Sequence, residues 1–480
     1  MARILAQSTL VSDLRAVVGE RGLICDHAQL DRYNTPLWGG IRGGARLVLR
    51  PASTAEISGC MRRCAQSRVG IVPYGGGTGF LGGQIAAMDG SEIVLSMERM
   101  ASTRVLDAAS RCIIVDAGMR VAEVRTQAQD HGLTFPLSFG ADGSAQIGGA
   151  LSTNAGGMNA VRYGVARDLC LGLEVVLPSG DILDQLGTVR KDNTGYDLKH
   201  LFIGSEGTLG IITAAALQLF PQPRAVACAL VGLPDAASAI RLLGRLHDNS
   251  DQRLSLFELM MKNAVTLATT LVPGCRSPFA VIPQALALVE LEGANGAELR
   301  AILETVLSDA ANDGLIDDAL IASSETQRAT FRHLRESLPE ANGLAGWLVS
   351  HDICLPIGQV PEYLARLQTS LERFSRADQA IVFGHLGDGN LHVTIVRPET
   401  TSQDDAALHE ALSEAVLIPA IALGGSVSAE HGIGLEKVGL LRRVETSVAL
   451  AAMHGIKDLL DPFGIMNPGK VLGPRKTPNA

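Results

Sequence analysis

A chain of 480 residues, 46% hydrophobic and 19% charged, holds enough apolar material for several packed cores and does not read as disordered. Its net charge of −9, with a pI of about 5.7 and no cluster of basic residues, excludes a phosphate-tracking surface, so no nucleic-acid partner is expected. No run approaches the roughly 18 apolar residues of a spanning helix, and the first residues lack the basic start and apolar core of a secretory signal.

Short Val/Ile-rich runs alternate with helical stretches through the first part of the chain. Residues 45–50 and 69–73 are predicted strands with a helix over 54–67 between them, and 92–96, 111–116 and 173–177 are further strands. Cys60 and Cys64, four apart on that helix, read as two buried small residues. The eight cysteines form no CxxC and no iron–sulfur pattern, which points to a reducing cytoplasm. Proline breaks regular structure twice at Phe220-Pro221-Gln222-Pro223. Beyond it, amphipathic stretches at 237–247, 297–312, 359–374 and 405–423 alternate with strands such as 286–291 and 380–383, a pattern of helices laid on an antiparallel sheet. A closing segment carries a helix ending at Asp461-Pro462 and then an irregular Met466-Asn467-Pro468-Gly469-Lys470. The expected class is α+β, with domains 1–220 and 221–447 and a closing segment 448–480.

The 52 glycines gather in loops. Tyr74–Gly83 holds a formal GxGxxG at Gly77, Gly79 and Gly82, the sequence form of a dinucleotide fingerprint. Only residues 84–88 precede Asp89-Gly90 and the next strand, so no helix opens at the third glycine and a Rossmann unit is not expected. The loop is then either an anion nest for a pyrophosphate or a flexible surface turn. Gly148–Gly157, Phe139–Ser144 and Gly204–Gly210 are further loops of small residues. Glycine costs folding entropy wherever backbone freedom is not needed, so several such loops imply close approach to a large ligand. A dinucleotide such as FAD fits better than a lone phosphate.

His385-Leu386-Gly387-Asp388-Gly389-Asn390-Leu391-His392 lies between two predicted strands. With Asp388-Gly389 as a two-residue hairpin turn, His385 faces His392 with Cβ atoms roughly 4.5–5.5 Å apart. Both imidazoles could then reach one metal at about 2.0–2.1 Å; two ordinary loop histidines are the alternative.

Together, Pro136–Gly157, Lys191–Leu198, Phe202–Thr213, Phe383–His392, Ser428–Gly432 and Asp461–Lys470 resemble the FAD-linked D-2-hydroxyacid dehydrogenases. These are vanillyl-alcohol-oxidase or PCMH-type flavoproteins, a family with hydroxyglutarate-, lactate- and glycolate-oxidising members. The resemblance spans nearly the whole chain, with the motifs in the family's order. It implies a two-part PCMH-type FAD-binding domain, formed by the N-terminal part and the last segment, under a cap domain of antiparallel sheet and helices. It also implies oxidation of a D-2-hydroxyacid to the 2-oxoacid by hydride transfer from C2 to flavin N5.

Residue by residue, the resemblance assigns Gly75, Gly76, Gly77, Thr78 and Gly79 to the pyrophosphate. Pro136, Gly140, Gly143, Ser144, Gly149, Thr153, Asn154, Gly157 and Gly164 would line the rest of FAD, with Glu206, Gly207, Gly210, Ile211 and Asn467. A divalent metal, commonly Zn2+, would be held by His385, His392 and Glu430. His431 would be the general base, Arg335 would grip a substrate carboxylate and Asn390 would be a polar substrate contact. Without the resemblance, Glu430-His431 reads as a solvated pair, and Arg335 as an exposed helix residue or an ion pair with Glu336 or a neighbour. Glu430 and His431 could serve metal and substrate separately only if the backbone turns, which Gly432 would permit.

Two positions depart from the family. Close relatives carry lysine where this chain has Ser350, and serine cannot replace that charge. Hydroxyglutarate-specific members tend to carry threonine at Pro339. Both put a second carboxylate on the substrate in doubt and leave a monocarboxylate, or an acid with a bulkier or apolar tail, an equal expectation. The implied electron acceptor is a quinone, an electron-transfer flavoprotein or another carrier; a homodimer, peripheral membrane contact and the mode of flavin attachment stay open. Competing classes are a zinc hydrolase built on His385, His392 and Glu430, and a flavin-binding subunit without activity of its own.

Overall fold

The computed structural model describes residues 8–37, 39–375, 379–397 and 406–473. The start read for a secretory signal, residue 405 of the last amphipathic stretch and the end of the closing segment lie outside the described residues. The chain forms two units, one of residues 1–156, 165–222 and 430–480, the other of 157–164 and 223–429. The change at Gln222–Pro223 falls at the proline break. Residues 430–447 group with the first unit rather than with the cap, and 157–164 with the second rather than with the first.

In the first unit, β1 (Leu23–Ile24), β2 (Val48–Leu49), β3 (Gly70–Tyr74) and β4 (Glu92–Ser96) form a sheet in the order β1-β2-β4-β3. The helix Thr54–Ser67 joins β2 to β3. Ser53 caps its start by accepting from the Glu56 amide, and Arg68 ends it in the left-handed region at φ 53°. Ile57, Cys60, Met61 and Cys64 fall on one face at helical spacing and are buried, as expected for the cysteines. Strand β4 lies between two parallel neighbours and is buried at every position.

Strands β5 (Thr103–Asp107), β6 (Cys112–Asp116), β7 (Leu133–Thr134), β8 (Cys170–Val176), β9 (Ile182–Gln185), β10 (Ile211–Gln218) and β11 (Phe220–Pro221) complete the first unit. They form an antiparallel sheet β5-β6-β10-β8-β9 and the short pair β11-β7. The closing segment docks on the edge of β3: the Ile71 amide donates to Ile465 O at 2.7 Å and the Asn467 amide to Ile71 O at 2.7 Å. Asp461, at the end of the helix Ser447–Leu460, fixes that turn by accepting from the amides of Ile465 at 3.0 Å and Met466 at 2.8 Å.

The second unit is one antiparallel sheet of β12 (Ala225–Leu233), β13 (Leu254–Met261), β14 (Ala285–Gly293), β15 (Asp318–Ile321), β16 (Trp347–Cys354), β17 (Gln379–His385) and β18 (Asn390–Val396). Its order is β15-β12-β14-β13-β17-β18-β16. Leu256, Met260, Leu286, Leu288, Ile381 and Phe383 share a core with Phe331 and Leu334 of the helix Glu325–Glu336. The expected helices on an antiparallel sheet are present: Ala236–Asn249, Gly296–Asn312, Val360–Leu371 and Ala406–Ala422 cover the predicted stretches.

The hairpin differs from the expected one in its turn. Phe383, not His385, is directly opposite His392, and residues 386–389 form a four-residue turn. Leu386 is fully buried, and the Gly387 amide donates to Phe257 O on β13 at 3.3 Å, so the turn is packed rather than minimal.

Candidate active site

Two constellations carry the residues singled out by sequence, one in each unit. In the first, the glycine loop after β3 has no helix at its third glycine, and the next regular element is β4. A Cβ on Gly76 would fall 2.1 Å from Ser144 O, so only glycine lets this loop meet the 139–144 loop. Gly77 has φ +74°, and its Cβ would lie 2.3 Å from Tyr74 Oη. Gly140, Gly143 and Gly149 differ: a Cβ on any of them would meet nothing within 4 Å. Their missing side chains leave open space, as a bound group requires.

Gln146 Oε1 and Asn467 Oδ1 are buried acceptors with no hydrogen-bond partner among the described residues. Such acceptors cost free energy unless a ligand or water satisfies them. Asn467 uses its amide nitrogen to bind Gly83 O at 2.9 Å and Glu206 O at 2.8 Å, tying the closing segment to two loops. Two orphaned acceptors, that of Gln146 close to the open Gly149, fit a long polar cofactor such as FAD.

Several predicted cofactor residues have structural work of their own. Asn154 Oδ1 accepts from the Arg167 amide at 3.0 Å, and Thr153 Oγ1 donates back to Gly149 O at 3.2 Å. A Cβ on Gly207 would press Pro73 at 2.9 Å and one on Gly210 would press Val175 at 2.7 Å, so both glycines seat their loop against neighbouring strands. Ile211 begins β10, Pro136 is buried, and Thr78 lies in the glycine loop after β3. Gly157 and Gly164 bracket the short helix Ala160–Tyr163 of the second unit, where Tyr163 Oη donates to Glu292 Oε2 at 3.0 Å.

Glu206 shows what holds Glu430-His431. Its carboxylate accepts from the amides of Ile433 at 2.7 Å and Gly434 at 2.8 Å. Burial pushes this carboxyl above its ordinary value, against the pull of the two amides. Gly432 turns the backbone at φ +78°, where a Cβ would stand 2.7 Å from Glu206 Oε1. Upstream of that turn, the His431 ring stacks on Phe80 of the glycine loop, centroids 4.2 Å apart at 21°. Glu430 Oε1 lies where a Cβ on Gly156 would come within 2.6 Å. Glu430 and His431 therefore both stand among the glycine loops, half-buried.

In the second unit, His385 and His392 share one sheet face, ring centroids 5.5 Å apart at 84°. Each faces a carboxylate across the strands: Glu258 is directly opposite His385, and Asp352 directly opposite His392. His385 Nδ1 is 2.5 Å from Glu258 Oε1, while His392 Nδ1 is 3.6 Å from Asp352 Oδ1. Asn390 donates from Nδ2 to Asp352 Oδ1 at 2.7 Å, and its Oδ1 is a buried acceptor without a partner among the described residues. The Ala429 amide, one residue before Glu430, donates to Asp352 Oδ2 at 3.1 Å.

Arg335 is neither exposed nor paired with Glu336. It reaches down from the helix Glu325–Glu336, donates from Nε to Glu258 Oε2 at 2.6 Å and lies over the Phe383 ring at 4.8 Å. Arg328, Arg332 and Arg335 follow helical spacing on one face, and the first two clasp Glu290 of β14. Burial works against ionisation of Glu258, yet Arg335 and His385 hold its carboxyl down at about 2. Ser350 Oγ lies 3.0 Å from Thr394 Oγ1, which accepts from Asn342 Nδ2 at 3.0 Å. Ser350, expected to depart from the family pattern, is thus built into a neutral chain. Sequence reasoning passed over Glu258, Glu290 and Asp352. For Glu258 the available signal was a lone carboxylate in the nearly apolar run Leu254–Met261, which demands a partner when buried.

Residues 222–471 match the family described as FAD linked oxidases, C-terminal domain, and residues 45–185 match an FAD binding domain. The chain is 36% identical over 462 residues to the mitochondrial D-2-hydroxyglutarate dehydrogenase of Arabidopsis thaliana, covering 96% of this chain and 81% of that protein. It is 35% identical over 433 residues to the D-2-hydroxyglutarate dehydrogenase of Xanthomonas citri pv. viticola, 90% of each. Among solved structures, p-cresol methylhydroxylase superposes with a TM-score of 0.75 at 15% identity, over 97% of this chain and 96% of that one. That likeness is one of fold, and it agrees with the expected two-part PCMH-type architecture.

Proposed function

This chain belongs to the FAD-linked oxidases, and from that premise we propose that it oxidises a D-2-hydroxyacid to the 2-oxoacid. The observation that carries the proposal is the convergence of His385, His392 and Arg335 on one sheet face, organised by the buried carboxylate of Glu258. Gly75–Gly79, Gly140, Gly143, Gly149, Gln146 and Asn467 would hold FAD, which supplies the hydride acceptor when bound. His385, His392 and Glu430 offer two imidazoles and a carboxylate, a donor set suited to Zn2+ with a position left for substrate. When bound, the ion would fix the α-hydroxyacid and acidify its hydroxyl.

The chain's own groups do the rest. Arg335 presents its Nη groups to the substrate carboxylate while Glu258 holds its Nε edge. Asn390 offers Oδ1 to a substrate donor. His431 takes the hydroxyl proton, a task suited to imidazole near neutral pH, with Phe80 and the Gly432 turn fixing its ring. The neutral Ser350–Thr394–Asn342 chain offers no cation to a second carboxylate, which favours a substrate with an uncharged tail. A zinc hydrolase would leave the FAD binding domain at 45–185 without a role.

No helix among the described residues is long and apolar enough to cross a membrane. No disulfide joins the eight cysteines, and burial pushes the Cys60 thiol up to about 12. We place the chain in a reducing compartment, the cytoplasm, passing electrons to a quinone or flavoprotein carrier. His392→Ala tests the metal: the variant keeps its flavin and loses most turnover, and full activity refutes the assignment.

A further inference from the structure

Two glutamates are fully buried on the same face of the second unit's sheet, and their company differs. Glu290 on β14 is held by Arg328 at 2.8 Å and Arg332 at 2.7 Å. Glu258 on β13 is held by Arg335 at 2.6 Å and, across the strand pair, by the ring of His385 at 2.5 Å. A structural carboxylate on this face is fully served by arginines, as Glu290 shows. Glu258 uses one of its two oxygens on an imidazole instead.

We propose that Glu258 is a positioning residue for the imidazole pair: it accepts from His385 Nδ1–H and so leaves the Nε2 lone pair to face the divalent ion. A ring nitrogen that carries a proton cannot coordinate, so whichever nitrogen donates to a carboxylate decides which one binds metal. The strand register supports the choice, because Glu258 and His385 are direct cross-strand partners whose side chains leave the same sheet face side by side. Through its other oxygen the same carboxylate orients Arg335, so one buried group sets the direction of both a metal ligand and the guanidinium proposed to grip substrate. Asp352 stands differently toward His392: its Oδ1 is 3.6 Å from His392 Nδ1, beyond hydrogen-bond length, and its oxygens accept from Asn390 and the Ala429 amide.

This inference rests on the metal reading above, and its test separates the two. The flavin-loaded, metal-free chain is labelled with 15N-histidine, and the tautomer of His385 is read by NMR in alkaline buffer. Zinc chloride is then titrated in competition with a chromophoric chelator for the wild type, E258Q and E290Q. The expected result is an Nδ1-protonated His385 and a fall in zinc affinity of about 10–100-fold in E258Q, with flavin content unchanged and E290Q equal to wild type. An Nε2-protonated His385 in the wild type overturns the proposal, as does wild-type affinity in E258Q or an equal loss in E290Q. If the wild type binds no zinc, the metal reading fails on its own. The tautomer of His385 still decides the role of Glu258 in that case, and also if E258Q does not fold.

Discussion

Glu258 and Arg335 form an ion pair with both partners removed from water, Nε to Oε2 at 2.6 Å and side chains 0% and 7% exposed. Cutting such a pair by Arg335→Ala leaves a buried uncompensated carboxylate and costs roughly 3–5 kcal/mol, which would confuse a binding effect with a folding one. Arg335→Lys keeps the charge beside Glu258 and removes the planar fork that can also face a substrate carboxylate. Steady-state kinetics of that variant should show KM for a D-2-hydroxyacid raised about tenfold or more, with kcat less affected; this corresponds to about 1.4 kcal/mol of lost binding. Unchanged KM removes Arg335 from the site.

Gly149 sits inside the helix Ile147–Ser152 with nothing within 4 Å of a Cβ built upon it. Alanine there should strengthen the helix by up to about 1 kcal/mol. If the open space belongs to the cofactor, Gly149→Ala should raise the melting temperature of the flavin-free chain while weakening FAD. Flavin retention after gel filtration reads the second effect. Stronger or equal FAD binding in the variant contradicts the cradle.

Glu290 supplies a pH dependence unconnected with catalysis. Burial opposes its ionisation, but the hydrogen bonds of Arg332 and Arg328 prevail and hold its carboxyl below the ordinary 4.5. A carboxyl depressed in the folded state contributes stability that is fully present above its unfolded value and is lost as pH falls through the folded one. Urea unfolding should therefore show wild type more stable than Glu290→Gln above pH ~5, near the unfolded carboxyl range, with the gap closing in more acid buffer. A gap independent of pH contradicts this account.

The hairpin shows which parts of the site could be read in advance. Two-residue turn chemistry placed His385 opposite His392, whereas the structure pairs Phe383 with His392 and uses a four-residue turn. The imidazoles still share a face, because a strand repeats every two residues and an even shift in pairing preserves sidedness. Alternation is local and survives in the sequence; register depends on Leu386 and Gly387 packing against β13, a strand some 130 residues away in the chain. The same limit explains Arg335. Its helix and the spacing of Arg328, Arg332 and Arg335 were legible, but the partners Glu258 and Glu290 sit on strands that only the fold brings beneath them. The glycine loops were recognisable by composition. Which glycines pack against protein and which face open space is set by the tertiary fold, not by composition.

Oxidation of a D-2-hydroxyacid by a flavin held in this chain can be read by anaerobic mixing of the flavin-loaded protein with paired D- and L-2-hydroxyacids, followed by visible absorbance. A D-acid with an uncharged tail should bleach the flavin, its L-enantiomer should not, and a chelator should abolish bleaching until Zn2+ is restored. A flavin that stays oxidised with every D-2-hydroxyacid, or a chain that binds no flavin, would contradict that activity.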